Sequence, residues 1–582
     1  MGNSQLQKLG NYLRPYWRQM MLGIFALLVV NGLGIYIPLL IRDSINELQT
    51  DFAMNQLWRY SLLILLLASI MLAIRLFSRM ALFGIGRQVE FDLKQKIFQH
   101  LLQLEPAYFA TNTSGDLINR ATSDVDNIRR LLGFAILSLA NTLFAYALTL
   151  PVMLSIHVRL TLMAITIYPL MLAVVQLFSK TLGNQQKRVQ ERLSELSELI
   201  QEDMSGISLI KIYAQEKNER QAFQEKNQRL LAANLRLART RNILFPVVEG
   251  LSFFSLLIIL WLGSGAIARG NITVGDFIAL LIYVERLAFP TALLGFTITA
   301  YQRGEVSIER VEEILRVKPQ IKNVPQAVNL PLAEIKGQVK ADHLSYTYPG
   351  TKEPALKRVS FLIEPGETIA IVGPIGSGKS TLANAIPRLL DIDSNQLFLD
   401  DYDVANLQLT DLRAAIAYVP QESFLFSTKI KNNIRYGKPL EELLEVEYAA
   451  KQAQIHPEIL SFPEQYETIV GERGITLSGG QRQRTSLARA LLIDAPVLIL
   501  DDALSSVDNQ TATQILQNLS GGVAKKTVIF ISHQLSAAAI ADRILVMDAG
   551  EIVQTGSHEE LLKTPGLYRS LWQQHQLEEV LQ

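Results

Sequence analysis

No cysteine occurs in the 582 residues. Disulfides and thiolate chemistry are therefore excluded, and a reducing compartment suits the chain. Net charge is absent too, because 55 Lys and Arg balance 55 Asp and Glu. No overall field draws the chain to nucleic acid or to an acidic partner. Charged residues are sparse, 19% against 49% hydrophobic, which leans toward a membrane. No low-complexity tract or short-period repeat appears. The N-terminal stretch has no small-residue cleavage site after a short apolar core, so the first apolar segment reads as a retained span and not a signal peptide. Gly2 begins a pattern like that for N-myristoylation, but Leu6 stands where Ser or Thr is needed.

The length exceeds what one hydrophobic core holds and implies two to four domains. Long apolar runs fill the first 300 or so residues. They cover residues 20–41, 60–74 (continuing past Arg75 and Arg79 to Gly86), 131–156, 160–179, 243–268 and 277–300. A spanning helix needs about 20 such residues, so six spans are expected. Glu249 interrupts the fifth, and Glu285 with Arg286 the sixth. The connections after the second and fourth spans, residues 87–130 and 180–241, are long. They carry Lys180, Lys187, Arg188, Arg192, Arg236, Arg239 and Arg241. Positive-inside asymmetry puts these connections and both termini in the cytoplasm. Their composition is helical with few Pro or Gly, which implies helices running on beyond the bilayer; separate soluble inserts are the alternative.

Between residues 316 and 336 the chain reads RVKPQIKNVPQAVNLPLAEIK, whose three prolines mark a linker. Strand-like and helical segments alternate after it, as in a parallel α/β domain. The expected fold is thus an all-α six-helix transmembrane domain over residues 1–316, a linker over 317–335, and an α/β P-loop NTPase domain with a helical subdomain over 336–582.

A short apolar strand, residues 369–372, leads into GPIGSGKST and then a helical segment. This is G-x-x-x-x-G-K-S in its strand–loop–helix setting. Gly373, Ile375, Gly376, Ser377 and Gly378 would offer backbone N–H groups to phosphate, with Pro374 shaping the loop and Thr381 in the first helical turn. Lys379 would neutralise the β- and γ-phosphates, and the Ser380 hydroxyl would reach Mg²⁺. Some 120 residues on, VLILDDALSSVD supplies an apolar strand ending in Asp501, a carboxylate for the Mg²⁺ shell. Phosphate, metal and carboxylate together imply ATP with Mg²⁺.

LSGGQRQR lies between them, and Ser478, Gly479, Gly480 and Gln481 open another helix. On this motif the sequence resembles the ABC transporter ATPases, from about residue 336 to the end. The resemblance implies that Tyr348 in YTYPG stacks on adenine and that Gln421 in YVPQESFLF contacts Mg²⁺. It implies that His533 in FISHQL contacts the γ-phosphate. Ser505 and Asp508 in SSVD would cross a dimer interface, and residues 471–474, GERG, would form a cross-talk loop. Taken singly, Tyr348 also fits a core aromatic, His533 a structural histidine and Gln421 a turn. Six spans before one such domain resemble an exporter-type half-transporter. In that family two chains pair, and the signature of one completes the ATP site of the other. Residues 113–128, TSGDLINRATSDVDNI, and 211–223, KIYAQEKNERQAF, resemble its two coupling helices; the Ser114-Gly115-Asp116 start is also a plausible cap.

ABC ATPases usually carry Glu where this chain has Asp502, the position that orients the attacking water. Asp is one methylene shorter, and misplacement of about an ångström can cost about a hundredfold in rate. Asp502 with an intact signature resembles the slow-site half of heterodimeric multidrug exporters. The expected partner is a second ABC half-transporter chain, with a homodimer as alternative. Expected too are plasma-membrane placement, contact with the lipid bilayer, and an amphipathic small molecule, drug or lipid as substrate. Glu249 and Glu285 are candidates for a pathway taking cationic solutes. A non-transporting membrane-tethered ATPase regulator and a peptide exporter are the alternatives. The absence of a protease domain before the first span weakens processing-coupled peptide export. A soluble nucleic-acid ATPase fails on the spans and on the neutral charge.

Overall fold

A computed structural model describes residues 9–50, 54–507, 509–520 and 526–581. Gly2, Leu6 and Asp508 lie outside the described residues. The chain divides into two compact units, one of residues Met1–Leu102 and Ser114–Val317, the other of Gln103–Thr113 and Lys318–Gln582.

Among the described residues of the first unit, six helices are long and apolar enough to cross a membrane. They are Leu9–Gln49, Met54–Leu101, Ser114–Ile156, Val158–Ser205, Glu216–Ala268 and Val274–Arg316, called the first to sixth spans. Each contains one of the apolar runs. Each has 41 to 53 residues, about twice the 20 or so that a bilayer requires. The polar sequence beyond the runs therefore continues the same helices. Hydroxyls tie them together where no water can. Ser78 donates to Gly23 O at 2.8 Å, Tyr168 to Val284 O at 2.7 Å, and Tyr283 to Ile35 O at 2.7 Å. The tight turn between the third and fourth spans is capped by His157, whose Nδ1 accepts from Leu160 N. The sixth span opens with a capping box between Thr273 and Asp276.

The segment resembling the first coupling helix is not a separate helix. Ser114 begins the third span, which runs through a π-helical stretch at Arg120–Asp124. The separate short helix is Pro106–Thr111, started by Pro106 at its first turn. It falls in Gln103–Thr113, the part of the first half that groups with the second unit. Further on, residues 211–223 hold the end of the short helix Ile207–Ile212, a turn, and the start of the fifth span at Glu216.

In the second unit, strands β1 (Val339–Tyr346), β2 (Leu356–Ile363), β4 (Leu397–Leu399) and β5 (Tyr402–Asp403) form an antiparallel sheet ordered β2-β1-β4-β5. A second sheet comprises β3 (Thr368–Val372), β6 (Ile416–Val419), β7 (Val497–Asp501), β8 (Thr527–Ile531), β9 (Arg543–Asp548) and β10 (Glu551–Gly556), in the order β10-β9-β3-β8-β7-β6. All its pairings are parallel except β9 with β10. Every residue of β3, β7 and β8 is buried, because both faces of a parallel sheet are covered. One apolar cluster includes Leu498, Leu500 and Phe530, and the other Ile499, Ile529 and Ile531, so alternate residues feed opposite faces. The helices Ile430–Ile434, Leu443–Gln452, His456–Ser461 and Gly479–Ile493 form the helical part. The proline-rich segment after Val317 is laid down and not loose: Val328 pairs with β-bridge geometry to Leu407, and Leu330 is buried.

Candidate functional site

Strand order sets the site. From β6 to β3 the order is β6-β7-β8-β3, and the chain leaving each of these strands carries one expected group. Gln421 follows β6, Asp501 ends β7, His533 follows β8, and the loop 373–378 follows β3. Parallel strands put all four at one edge, where α/β sheets bind ligands. Gln421, Asp501, His533 and, from the loop, Ile375, Gly376 and Gly378 line a cleft of about 410 Å³ together with Tyr348, Lys379, Ser380, Thr381 and Asp502, whereas Gly373, Pro374 and Ser377 do not line it.

Gly373 has φ 151°, and a Cβ there would lie 2.0 Å from Met547 O, so β9 admits only glycine. Within the loop, Lys379 Nζ donates to Gly373 O at 2.9 Å and Pro374 O at 2.8 Å. Burial lowers the ammonium from its ordinary value, against the attraction of Asp502 and Asp501. Ser380 Oγ donates to Asp501 Oδ1 at 2.9 Å. Tyr418 donates to Asp501 Oδ2 at 3.2 Å and to Asn384 Oδ1 at 3.0 Å. Burial raises the Asp501 carboxyl, with Ser380 and Tyr418 acting the other way. A carboxylate so placed gains from a cation beside it. The donor set of a hydroxyl, a carboxylate and the Gln421 amide is all hard oxygen. It suits Mg²⁺, which takes few protein ligands and completes its shell with water and phosphate. No group of three His, Cys, Asp or Glu among the described residues could hold a metal by itself.

Asp502 is 9% exposed and has φ 49°, a left-handed backbone that Asp tolerates better than most residues. Its N–H donates to Ile531 O, linking it to β8. Tyr348 shows both expected characters. It lines the cleft, its hydroxyl 3.2 Å from Thr381 Oγ1, and it packs on the core edge-on to Tyr346. His533 is exposed at the rim.

The signature stands apart from this cleft. Ser478 caps the helix Gly479–Ile493 in a capping box with Gln481, whose Nε2 donates to Glu458 at 2.9 Å. None of Ser478, Gly479, Gly480 and Gln481 lines the cleft. A Cβ at Gly480 would lie 2.8 Å from Ser506 O, so the signature packs directly on the loop after Asp502. Sequence reasoning missed two residues here. Gln483 Nε2 donates to Ser505 Oγ at 3.0 Å, and its Oε1 accepts from Ser506 N at 2.8 Å, so it clamps that loop. Tyr418 is the other. Both sit inside quoted motifs; the polar tip of Tyr418 between Ala417 and Val419 was the available signal, while Gln483, between two arginines, carried none. Glu249 and Glu285 are exposed in the first unit, one turn from exposed Phe245 and Phe253 in the first case and from Phe289 in the second.

A six-span unit and a nucleotide cleft with an LSGGQ helix on one chain define an ATP-driven membrane pump. Comparison with known proteins carries this further. Residues 20–290 match the model of the ABC transporter transmembrane region, and residues 356–505 the ABC transporter model. A probable multidrug resistance ABC transporter ATP-binding/permease protein of Bacillus subtilis, YheI, is 33% identical over 99% of this chain and 98% of its own. The multidrug resistance-like ATP-binding protein MdlA of Escherichia coli is 33% identical over 98% of this chain and 96% of its own. An ATP-dependent lipid A-core flippase of Syntrophus aciditrophicus is 31% identical over 97% and 93%. The solved structure of a bacterial Atm1-family ABC exporter with ATP bound shares the fold, with a TM-score of 0.78 at 24% identity over 96% of this chain and 99% of that one. The chain belongs to the ABC transporter family. It is a multi-pass exporter-type half-transporter whose ATPase, using ATP with Mg²⁺, is coupled to transport.

Proposed function

We propose that this chain is the slow-site half of a heterodimeric exporter of amphipathic small molecules, drugs or lipids. Its membrane domain is residues 1–316, its linker 317–335 and its ATPase domain 336–582. It lies in the plasma membrane with the ATPase domain and both termini in the cytoplasm. The substrate class is supported by the kinship with proteins named for multidrug resistance and for lipid A-core flipping.

In this reading Lys379 and the loop N–H groups bind the phosphates, and Tyr348 holds the base. Ser380, Asp501 and Gln421 hold Mg²⁺, which supplies charge neutralisation at the phosphates. Asp502 occupies the position that orients water, with His533 beside it. Ser478, Gly479, Gly480 and Gln481 serve the partner's ATP, and Ser505 and Asp508 cross to the partner. The observation that carries the heterodimer is Asp502, buried in the cleft beside Asp501 with a short arm, on a chain whose signature helix is intact.

The test is ATP turnover of the purified chain alone and of the chain paired with its candidate partner. The pair turns over robustly and the lone chain slowly, and Asp502→Glu speeds the lone chain. Robust turnover by the lone chain, unchanged by Asp502→Glu, removes the slow-site reading. That outcome would favour a homodimer, which the ease of Asp in left-handed backbone also fits.

A further inference from the structure

The first unit contains a cavity of about 550 Å³ between the third, fourth, fifth and sixth spans. Its apolar lining includes Phe134, Leu182, Leu293 and Phe296, and its charged lining is Arg130, Arg241 and Arg303. No Asp, Glu or Lys lines it. Arg130 is ion-paired to Asp126 at 2.8 Å. For Arg241 and Arg303, no carboxylate lies within ion-pair distance among the described residues, and both are exposed. Ser179 also lines the cavity; it is 8% exposed, and its Oγ has no hydrogen-bond partner among the described residues. A buried hydroxyl without a partner is costly unless something supplies one.

The position along the chain gives the cavity a polarity. The four apolar runs end at residues 131, 179, 243 and 300. Arg130, Ser179, Arg241 and Ala300 stand at or within two residues of these ends, and all line the cavity. The cavity therefore straddles the limit of the hydrocarbon-compatible sequence. Its cations lie on the polar side, while Phe134, Leu293 and Phe296 lie within the runs.

We propose that this cavity binds an amphipathic anion, its carboxylate or phosphate held by Arg241 and Arg303 and its apolar body against Phe134 and Phe296. The inference rests on the export reading and narrows its substrate class. It also differs from a cationic pathway at Glu249 and Glu285, since neither lines this cavity. Guanidinium suits this task, because its planar fork pairs with carboxylate or phosphate oxygens.

The full chain in phosphatidylcholine nanodiscs, without nucleotide, is titrated with a pyrene-labelled twelve-carbon carboxylate and with the matched trimethylammonium compound. The carboxylate binds saturably and the cation does not. Arg241→Gln and Arg303→Gln each weaken binding by about tenfold, as loss of one charge-assisted contact implies. Arg303→Lys retains part of it, and unchanged thermal unfolding confirms that each variant is folded. Equal binding of the cation, or unchanged binding by both Gln variants, overturns the proposal. Adding phosphatidylglycerol to the nanodiscs separates the sources. Displacement of the probe identifies a lipid headgroup as the occupant, and its persistence a soluble amphiphile. Transport is then measured in vesicles. Arginine-dependent binding without transport retains the site and removes the export reading; export of the cation alone does the reverse.

Discussion

At the scale of single residues, Asp502 has two properties that pull apart. In the proposed slow site its short arm would reach poorly to the water-orienting position, while its backbone, at φ 49°, is one that Asp adopts with little strain. Glu enters the left-handed region less readily than Asp. Asp502→Glu is therefore expected to speed hydrolysis and to lower stability by up to about 1 kcal/mol. Asp502→Asn, equally at ease in this backbone, leaves stability unchanged. Thermal unfolding of the detergent-purified variants measures both, and a Glu variant as stable as the parent overturns the strain account. Among the residues legible in the sequence, Lys379 has its chemistry beside it, in its own loop, while Ser380 and its distant partner Asp501 were legible through their motifs. Tyr418 and Gln483 were not legible in this way, because their partners lie 34 to 83 and 22 to 23 residues away. Only the fold brings those partners within reach.

At the scale of elements, the six spans were legible because hydrocarbon demands a contiguous apolar run, which nothing else in the sequence imitates. Their full extent was less so, since beyond the bilayer each helix is held by amphipathic packing and its sequence looks like any solvated helix. The same ambiguity made residues 113–128 look like a separate coupling element when the third span begins within them, at Ser114. The C-terminal helix Leu567–Leu581 offers a measurable case of how such elements are fastened. His558 Nδ1 lies 2.7 Å from the hydroxyl of fully buried Tyr568, and its ring meets Trp572 at 4.6 Å. Burial lowers His558 from its ordinary value of 6.5, partly opposed by Glu559. The folded state thus prefers the neutral ring, and the unfolded chain takes up the proton first as pH falls. The contribution is complete well above pH 6.5 and is lost progressively as the pH drops below it. Unfolding temperature is expected to fall across that window, and His558→Gln to flatten the fall. An unchanged slope in the variant removes His558 as its source.

At the scale of the whole molecule, the P-loop cleft and the signature helix on one chain are separate sites, since no residue of Ser478–Gln481 lines the cleft. Damage to each should therefore appear in different places when two unlike chains pair. In the proposed heterodimer, this chain's signature serves the fast site and its own cleft is the slow one. Ser478→Arg puts bulk and charge at the mouth of the signature helix. It is expected to cut turnover of the pair by about a hundredfold, the scale for losing an aligned donor to the reacting phosphate. ATP binding to this chain's own P-loop should survive, read by photolabelling the separated chains. Asp502→Asn in the same pair is expected to change turnover by less than about twofold, because the slow site contributes little to it. A homodimer behaves otherwise, since every cleft then faces a damaged signature and every Asp502 belongs to a working site. If Asp502→Asn and Ser478→Arg both abolish turnover, the two clefts are equivalent and the asymmetric pump is wrong. If only Ser478→Arg does, the short carboxylate marks a cleft kept for holding ATP, opposite one built to cleave it.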